Sequence, residues 1–240
     1  MGSYELLRFP SDDALAHEAA DRWISLVEQA VRQSERHLVA LSGGRIAKKF
    51  FQASVLVARR RTVDLAPVHF YWADERCVPP DHPESNFGVA NRLLLEPLGI
   101  ATSHIHRLNG EADASSSVSA ANTDLRGIAS VSESGVPVLD LILLGMGEDG
   151  HVASLFPQTA EAEAAAADTY LAVVAPKPPP RRVTLGYRVL AAAKAVWVLI
   201  SGAGKEMALR ESLLAGGQTP LGRVLELRSS TLMFSDIAGI

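Results

Sequence analysis

The chain has 240 residues, 48% of them apolar and 21% charged, and a formal net charge of −4. That length and apolar share support one large or two small packed domains and exclude a disordered chain. The mild negative charge gives no electrostatic footprint for nucleic acid, which excludes a general polyanion binder but leaves room for a local cationic pocket that takes a small anion. A single cysteine, Cys77, rules out an internal disulfide framework and a cysteine-rich zinc site. Residues 1–10 carry no apolar signal core, and no run approaches the roughly 18 apolar residues of a membrane span, so a soluble, cytoplasmic protein with no membrane partner is expected.

Ser11-Asp12-Asp13 offers an N-cap followed by acids, and Ala14, Ala19, Trp23, Leu26, Val27 and Ala30 keep a helical stripe toward Arg36. His37 to Leu41 has the pattern of a short strand, Ser42-Gly43-Gly44 of a turn, and Ile46 to Ala58 of the helix that follows. Val68 to Trp72 is an aromatic-rich strand that ends at Asp74-Glu75-Arg76, ahead of Pro79, Pro80 and Pro83. Ser85 to Leu95 and Ser115 to Ile128 predict helices, the second with a polar face. Leu141 to Leu144 is unbroken and apolar, as in a central parallel strand, and it runs into Gly145-Met146-Gly147-Glu148-Asp149-Gly150-His151. Thr159 to Asp168 predicts a short helix, Tyr170 to Val174 a strand, Lys177-Pro178-Pro179-Pro180 a rigid loop, and Arg182 to Leu185 a further element. Ala195 to Ile200 is a buried strand that passes through Ser201-Gly202-Ala203-Gly204-Lys205 into a helix from Glu206 to Leu214. No repeat or linker divides the chain. The expected fold is α/β: a single domain over residues 1–240 with a doubly wound, mostly parallel sheet flanked by helices.

In such a sheet the strand ends Ser42-Gly43-Gly44, Asp74-Glu75-Arg76, Asp149-Gly150-His151 and Gly204-Lys205 are expected to meet at one rim. Amides of Gly43 and Gly44 at a helix N-terminus suit a phosphate, and Arg76 and Lys205 add charge. His151 is a candidate general base, with Asp149 two residues away to orient it, so hydrolysis or proton transfer of a small phosphorylated molecule is the implied chemistry. Plain alternatives stand beside these: Gly43-Gly44 as a bare turn, and Arg76 as a surface ion pair with Asp74 or Glu75. His104-Ile105-His106 invites a metal, but no third ligand has suitable spacing, so no metal is expected.

Three motif matches fail on inspection. Gly145-Met146-Gly147-Glu148-Asp149-Gly150 satisfies the dinucleotide pattern literally, but its variable positions are acidic and Pro157 interrupts the helix that should follow. Ser201 to Glu206 lacks the first glycine and the magnesium-binding hydroxyl of a nucleotide loop. Ser42 lacks the first glycine of a nucleophile elbow, which favours water as the nucleophile.

Five ordered blocks, together spanning nearly the whole chain, resemble the 6-phosphogluconolactonase family, which is similar to the glucosamine-6-phosphate deaminases. They are Leu41-Ser42-Gly43-Gly44; Asp74-Glu75-Arg76 with Ser85-Asn86-Phe87-Gly88; Leu144 to Pro157; Lys177 to Leu185; and Ser201 to Lys205. The resemblance implies a modified Rossmann-like fold and hydrolysis of 6-phospho-D-glucono-1,5-lactone to 6-phosphogluconate, in the oxidative pentose phosphate pathway, with no metal or organic cofactor. It implies His151 as the base and Asp149 as its orienting acid. Ser42, Gly43, Gly44, Arg45, Asp74, Arg76, Asn86, Lys177, Arg182 and Lys205 are the residues it implies for the phosphate, the oxyanion and the pocket. A monomer is the favoured state.

Ser154-Leu155-Phe156-Pro157 resembles the lactonase branch, since a deaminase carries a catalytic Glu in that space. Alternatives are such a deaminase, or a non-catalytic sugar-phosphate sensor, which the short N-terminus argues against. The chain departs from the family at Arg45, where Ser is common, at Val152, where Thr is frequent, and at Gly186.

Overall fold

The computed structural model describes residues 2–157 and 169–240. The chain begins with β1 (Ser3–Arg8), α1 (Asp12–Gln33), β2 (His37–Leu41), α2 (Arg45–Arg61), β3 (Val68–Trp72) and β4 (Asp74–Arg76). A short α3 (Asn86–Ala90) passes into a π-helical turn at Asn91–Leu95, which together fill the predicted helix from Ser85 to Leu95. There follow α4 (Ala114–Ile128), the paired strands β5 (Ser130–Val131) and β6 (Pro137–Val138), and β7 (Leu141–Gly145). The last part holds β8 (Tyr170–Val174), β9 (Arg181–Leu185), α5 (Tyr187–Ala192), β10 (Ala195–Ile200), α6 (Glu206–Ser212), α7 (Pro220–Leu227) and β11 (Ser230–Ser235). The helix expected over Thr159 to Asp168 lies outside the described residues.

Six strands make one fully parallel sheet in the order β1-β11-β10-β7-β2-β3. Three of its four inner strands, β2, β7 and β10, are buried along nearly their whole length because helices cover both faces, which is why they read as unbroken apolar runs. α1 starts where the Ser11 side chain accepts from the Ala14 amide, and it buries Leu15, Ala19, Trp23 and Val27 on one stripe. Trp23 sits 5.7 Å from the Phe50 ring of α2 and 6.1 Å from Phe70 of β3, so it locks both helices to the sheet. Truncating such a residue costs about 3–5 kcal/mol.

From β2 the chain moves outward to β3, then returns to place β7 on the other side of β2. The carboxyl ends of β2 and β7 therefore flank a topological switch point, where open α/β sheets bind ligands. A second sheet overlies this edge. At Ala73 the chain leaves β3, its amide bonded to Leu41 O (2.7 Å) and its carbonyl to the Leu185 amide (2.8 Å). It enters the antiparallel sheet β4-β9-β8, with Asp74 opposite Thr184 and Arg76 opposite Arg182. Among the described residues, no helix is long and apolar enough to cross a membrane.

Candidate active site

A cavity of about 430 Å³ opens at the switch point. The turn after β2 brings Ser42, Gly43, Gly44 and Arg45; β4 brings Asp74 and Arg76; α3 brings Asn86; the turn after β7 brings His151; β9 brings Arg182; and the turn after β10 brings Lys205. Asp149 stands behind His151 as its hydrogen-bond partner and not on the cavity wall. Lys177, grouped with these cations on sequence, is exposed in the loop after β8 and does not line the cavity. Glu148, Ser201 and Gly202 do line it and were not anticipated. All three lie inside blocks already singled out, Leu144 to Pro157 and Ser201 to Lys205, without being assigned to the pocket there.

The turn after β7 is shaped around the histidine. Asp149 Oδ1 lies 2.5 Å from His151 Nδ1 and also accepts from the His151 amide at 3.2 Å. A Cβ on Gly147 would stand 2.0 Å from Nδ1, so only glycine lets the imidazole fold back onto its own turn. Burial by itself would raise the Asp149 carboxyl, but the hydrogen bond and charge of His151 bring it below its ordinary value. With Nδ1–H donated to a carboxylate, Nε2 is the nitrogen left to take a proton, the arrangement required of a base. The Phe156 ring lies 4.5 Å from the imidazole, centre to centre, and the Arg182 guanidinium stands over the same ring at 5.6 Å from its centre.

The opposite wall is a buried polar frame. Asp74 accepts from Ser154 Oγ (2.7 Å) and from Asn86 Nδ2 (3.3 Å), and the same amide nitrogen reaches the Asp74 carbonyl at 2.9 Å. Asn86 sits so close to the turn after β2 that a Cβ on Gly43 would approach its Oδ1 to 1.9 Å. Glu75 points away from the cavity: it accepts from the amides of Arg76, Asn86 and Phe87 at 2.7–2.8 Å and from Ser85 Oγ at 3.2 Å. Burial raises its carboxyl, against the pull of those amides. The ion pair considered for Arg76 with Asp74 or Glu75 is therefore not the one formed. Strand alternation sends Glu75 to the other face, Asp74 is taken by Ser154 and Asn86, and Arg76 bonds the carbonyl and carboxylate of Glu84 at 2.7 and 3.0 Å.

The cavity is cationic at two poles. Arg76 and Arg182 form one; burial, then the charge of Arg76, pushes Arg182 below its ordinary value. Arg45 and Lys205 form the other, where burial and then Arg45 lower Lys205 against the opposing Glu148 and Asp236. Between them, α2 begins with no side-chain cap, and Ser42 Oγ is buried with no hydrogen-bond partner. Among the described residues no group of three or more His, Cys, Asp or Glu is placed to hold a metal ion. His104 and His106 instead stack on His69 at 4.5 and 5.2 Å, and His106 Nδ1 meets Asp124 at 2.9 Å, away from the cavity.

The family model described as glucosamine-6-phosphate isomerases/6-phosphogluconolactonase matches residues 10–233. The chain belongs to this family. Among the family's members, a probable 6-phosphogluconolactonase 3, chloroplastic, of Oryza sativa subsp. indica is 35% identical over 216 residues, 86% of this chain and 65% of that one. A 6-phosphogluconolactonase of Mycobacterium tuberculosis is 32% identical over 220 residues, 89% of this chain and 86% of its own. The crystal structure of a 6-phosphogluconolactonase from Shewanella baltica superposes with a TM-score of 0.81 at 25% identity, covering 98% of each chain. This family member thus spans just under two thirds of the rice relative's length and most of the mycobacterial one.

Proposed function

We propose that the chain hydrolyses 6-phospho-D-glucono-1,5-lactone to 6-phosphogluconate, the second step of the oxidative pentose phosphate pathway. The observation that carries this is the Asp149–His151 pair facing a cavity with a cationic pole on either side. The lactonase names of the rice and mycobacterial relatives support it.

On this reading His151 Nε2 takes a proton from water as the oxygen attacks the lactone carbonyl. Asp149, ionised, holds the imidazole in the tautomer that leaves Nε2 free and steadies the imidazolium that forms. Arg182 and Arg76 face the oxyanion, which is stronger stabilisation in a cavity than in water. The carbonyl then reforms, the ester bond to the ring oxygen breaks, and the proton on His151 passes to that oxygen. The phosphate lies at the other pole, against the uncapped α2 N-terminus, the Ser42-Gly43-Gly44 turn and Lys205. Asp74 and Asn86 hold the frame between the poles. The steps draw on no metal or organic cofactor. Lys177 takes no part.

The test is a coupled assay on freshly generated lactone beside a buffer control, with ammonia release from glucosamine 6-phosphate as the second arm. Turnover above spontaneous hydrolysis, with no ammonia, is expected. Hydrolysis no faster than buffer would overturn the activity, and ammonia release would assign the deaminase reaction instead.

A further inference from the structure

Arg45 occupies the first position of a 17-residue helix with no acidic residue in its first turn, so its charge opposes the helix dipole. The compensating anion comes from another element. Asp12, in the first turn of α1, meets Arg45 Nη1 at 2.6 Å and shares itself with Lys49 Nζ at 2.9 Å, while Asp13 meets Lys49 at 2.6 Å. Both cations draw the Asp12 carboxyl below its ordinary value, Lys49 most strongly.

The other end of the guanidinium reaches the cavity. Arg45 Nη2 donates to Ser201 Oγ at 3.1 Å, over the backbone of Gly202, and Ser201 Oγ donates onward to Asp236 at 2.7 Å. Arg45 is thus shared between a carboxylate outside the cavity and a hydroxyl on its wall. Its side chain is 58% exposed, and an ion pair so placed is weak enough for a bound anion to compete with it. A single carboxylate cannot saturate the five donors of an arginine. Arg45 and Lys205 line the same end of the cavity, on the turns after β2 and β10, and the charge of Arg45 is felt at Lys205.

The geometry points to Arg45 as a specificity-determining residue, a second cation on the substrate phosphate whose strength Asp12 tunes downward by competing for the same guanidinium. This rests on the phosphosugar reading above and extends it: a neutral sugar lactone gains nothing from Arg45, whereas a phosphate dianion gains a charge-assisted contact. Asp12 never touches the substrate. It acts through Arg45, and removing it should strengthen what removing Arg45 weakens.

Inorganic phosphate is the probe, titrated calorimetrically into the wild-type chain, Arg45→Ser, Asp12→Asn and the double variant, with melting temperatures taken on all four. Arg45→Ser should weaken phosphate binding by about fivefold to tenfold, and Asp12→Asn should tighten it by roughly twofold to fivefold. The double variant should match Arg45→Ser. Arg45→Ser should also raise KM for the phosphorylated lactone while leaving that for unphosphorylated gluconolactone in place. A structural brace predicts the opposite pattern: both single variants would lower the melting temperature, and Asp12→Asn would weaken phosphate binding or leave it alone. Either of those binding results, unchanged binding in Arg45→Ser, or no phosphate binding by the wild type overturns the assignment. A chain that fails to turn over the lactone yet shows the opposed shifts loses the activity reading and keeps the assignment of Arg45.

Discussion

Arg76 and Arg182 stand directly opposite one another across the β4–β9 ladder, and both line the cavity. Like charges at opposed positions destabilise a sheet, a cost that the anion of the proposed reaction would offset. Glu84 bonds Arg76 directly, and with Asp74 and Glu75 it offsets part of the charge of Arg182. Arg182→Met should therefore lower kcat/KM for the lactone by about 100-fold or more, the scale of a lost oxyanion contact, while changing the melting temperature little. Inorganic phosphate should raise the melting temperature of the wild type by linkage, and by about as much in this variant, because the proposed phosphate site lies at the other pole. A large loss of stability with catalysis intact would remove the anion role.

His151→Ala should reduce kcat by about 10²–10⁴-fold, the usual share of a general base. Asp149→Asn should fall short of that loss, because Nε2 remains but its tautomer is no longer enforced. Gly147→Ala should resemble the histidine variant, since its methyl group would occupy the place of the imidazole Nδ1. Rates under saturating fresh lactone check all three. A fully active His151→Ala would sink the base assignment.

Glu75 bonds three backbone amides and the Ser85 hydroxyl, which joins β4 to the start of α3. Glu75→Ala would strand those buried donors and should cost about 2–4 kcal/mol in a urea denaturation. Because Asn86 and Asp74 depend on the same junction, activity should fall with stability. A variant within about 0.5 kcal/mol of wild type would contradict this role, that being the range of an ordinary surface change.

Burial holds His37 and His69 down at about 4, and His69 also feels the charges of His104, His106 and Arg36. Their folded values lie below the unfolded value near 6.5, so the unfolded chain takes up the protons first. The stability they contribute is complete above about pH 6.5 and drains away as pH falls toward 4. Urea midpoints measured at pH 7 and pH 5 should show this decline, and His69→Phe should flatten it by about 1 kcal/mol after allowing for solvent screening. An equal decline in the variant would place the acid sensitivity elsewhere.

Of the inner strands, β2, β7 and β10 were legible because burial on both faces demands unbroken apolar runs, and α1 was legible because Ser11 and the Leu15–Trp23 stripe mark a start and a face. β1 was not. Ser3–Arg8 is largely exposed with no apolar run, and it is a strand because β11 offers it a parallel ladder from more than 220 residues away. β11 and α7 were likewise unmarked, and the second sheet was invisible as a sheet because antiparallel pairing of β4, β9 and β8 is a property of three distant segments.

The same division runs through the site. Residue types and turns determined by themselves that Asp149 and His151 end a buried strand, that Ser42-Gly43-Gly44 opens a helix, and that cations follow other strands. These are local facts, encoded in periodicity and in the backbone freedom of glycine. Tertiary structure alone decided which cations meet: it opposed Arg76 to Arg182, left Lys177 outside, turned Glu75 from partner into cap, and brought Asp12 across to Arg45. Long-range register set those pairings, and it leaves no mark on the residues near each charge.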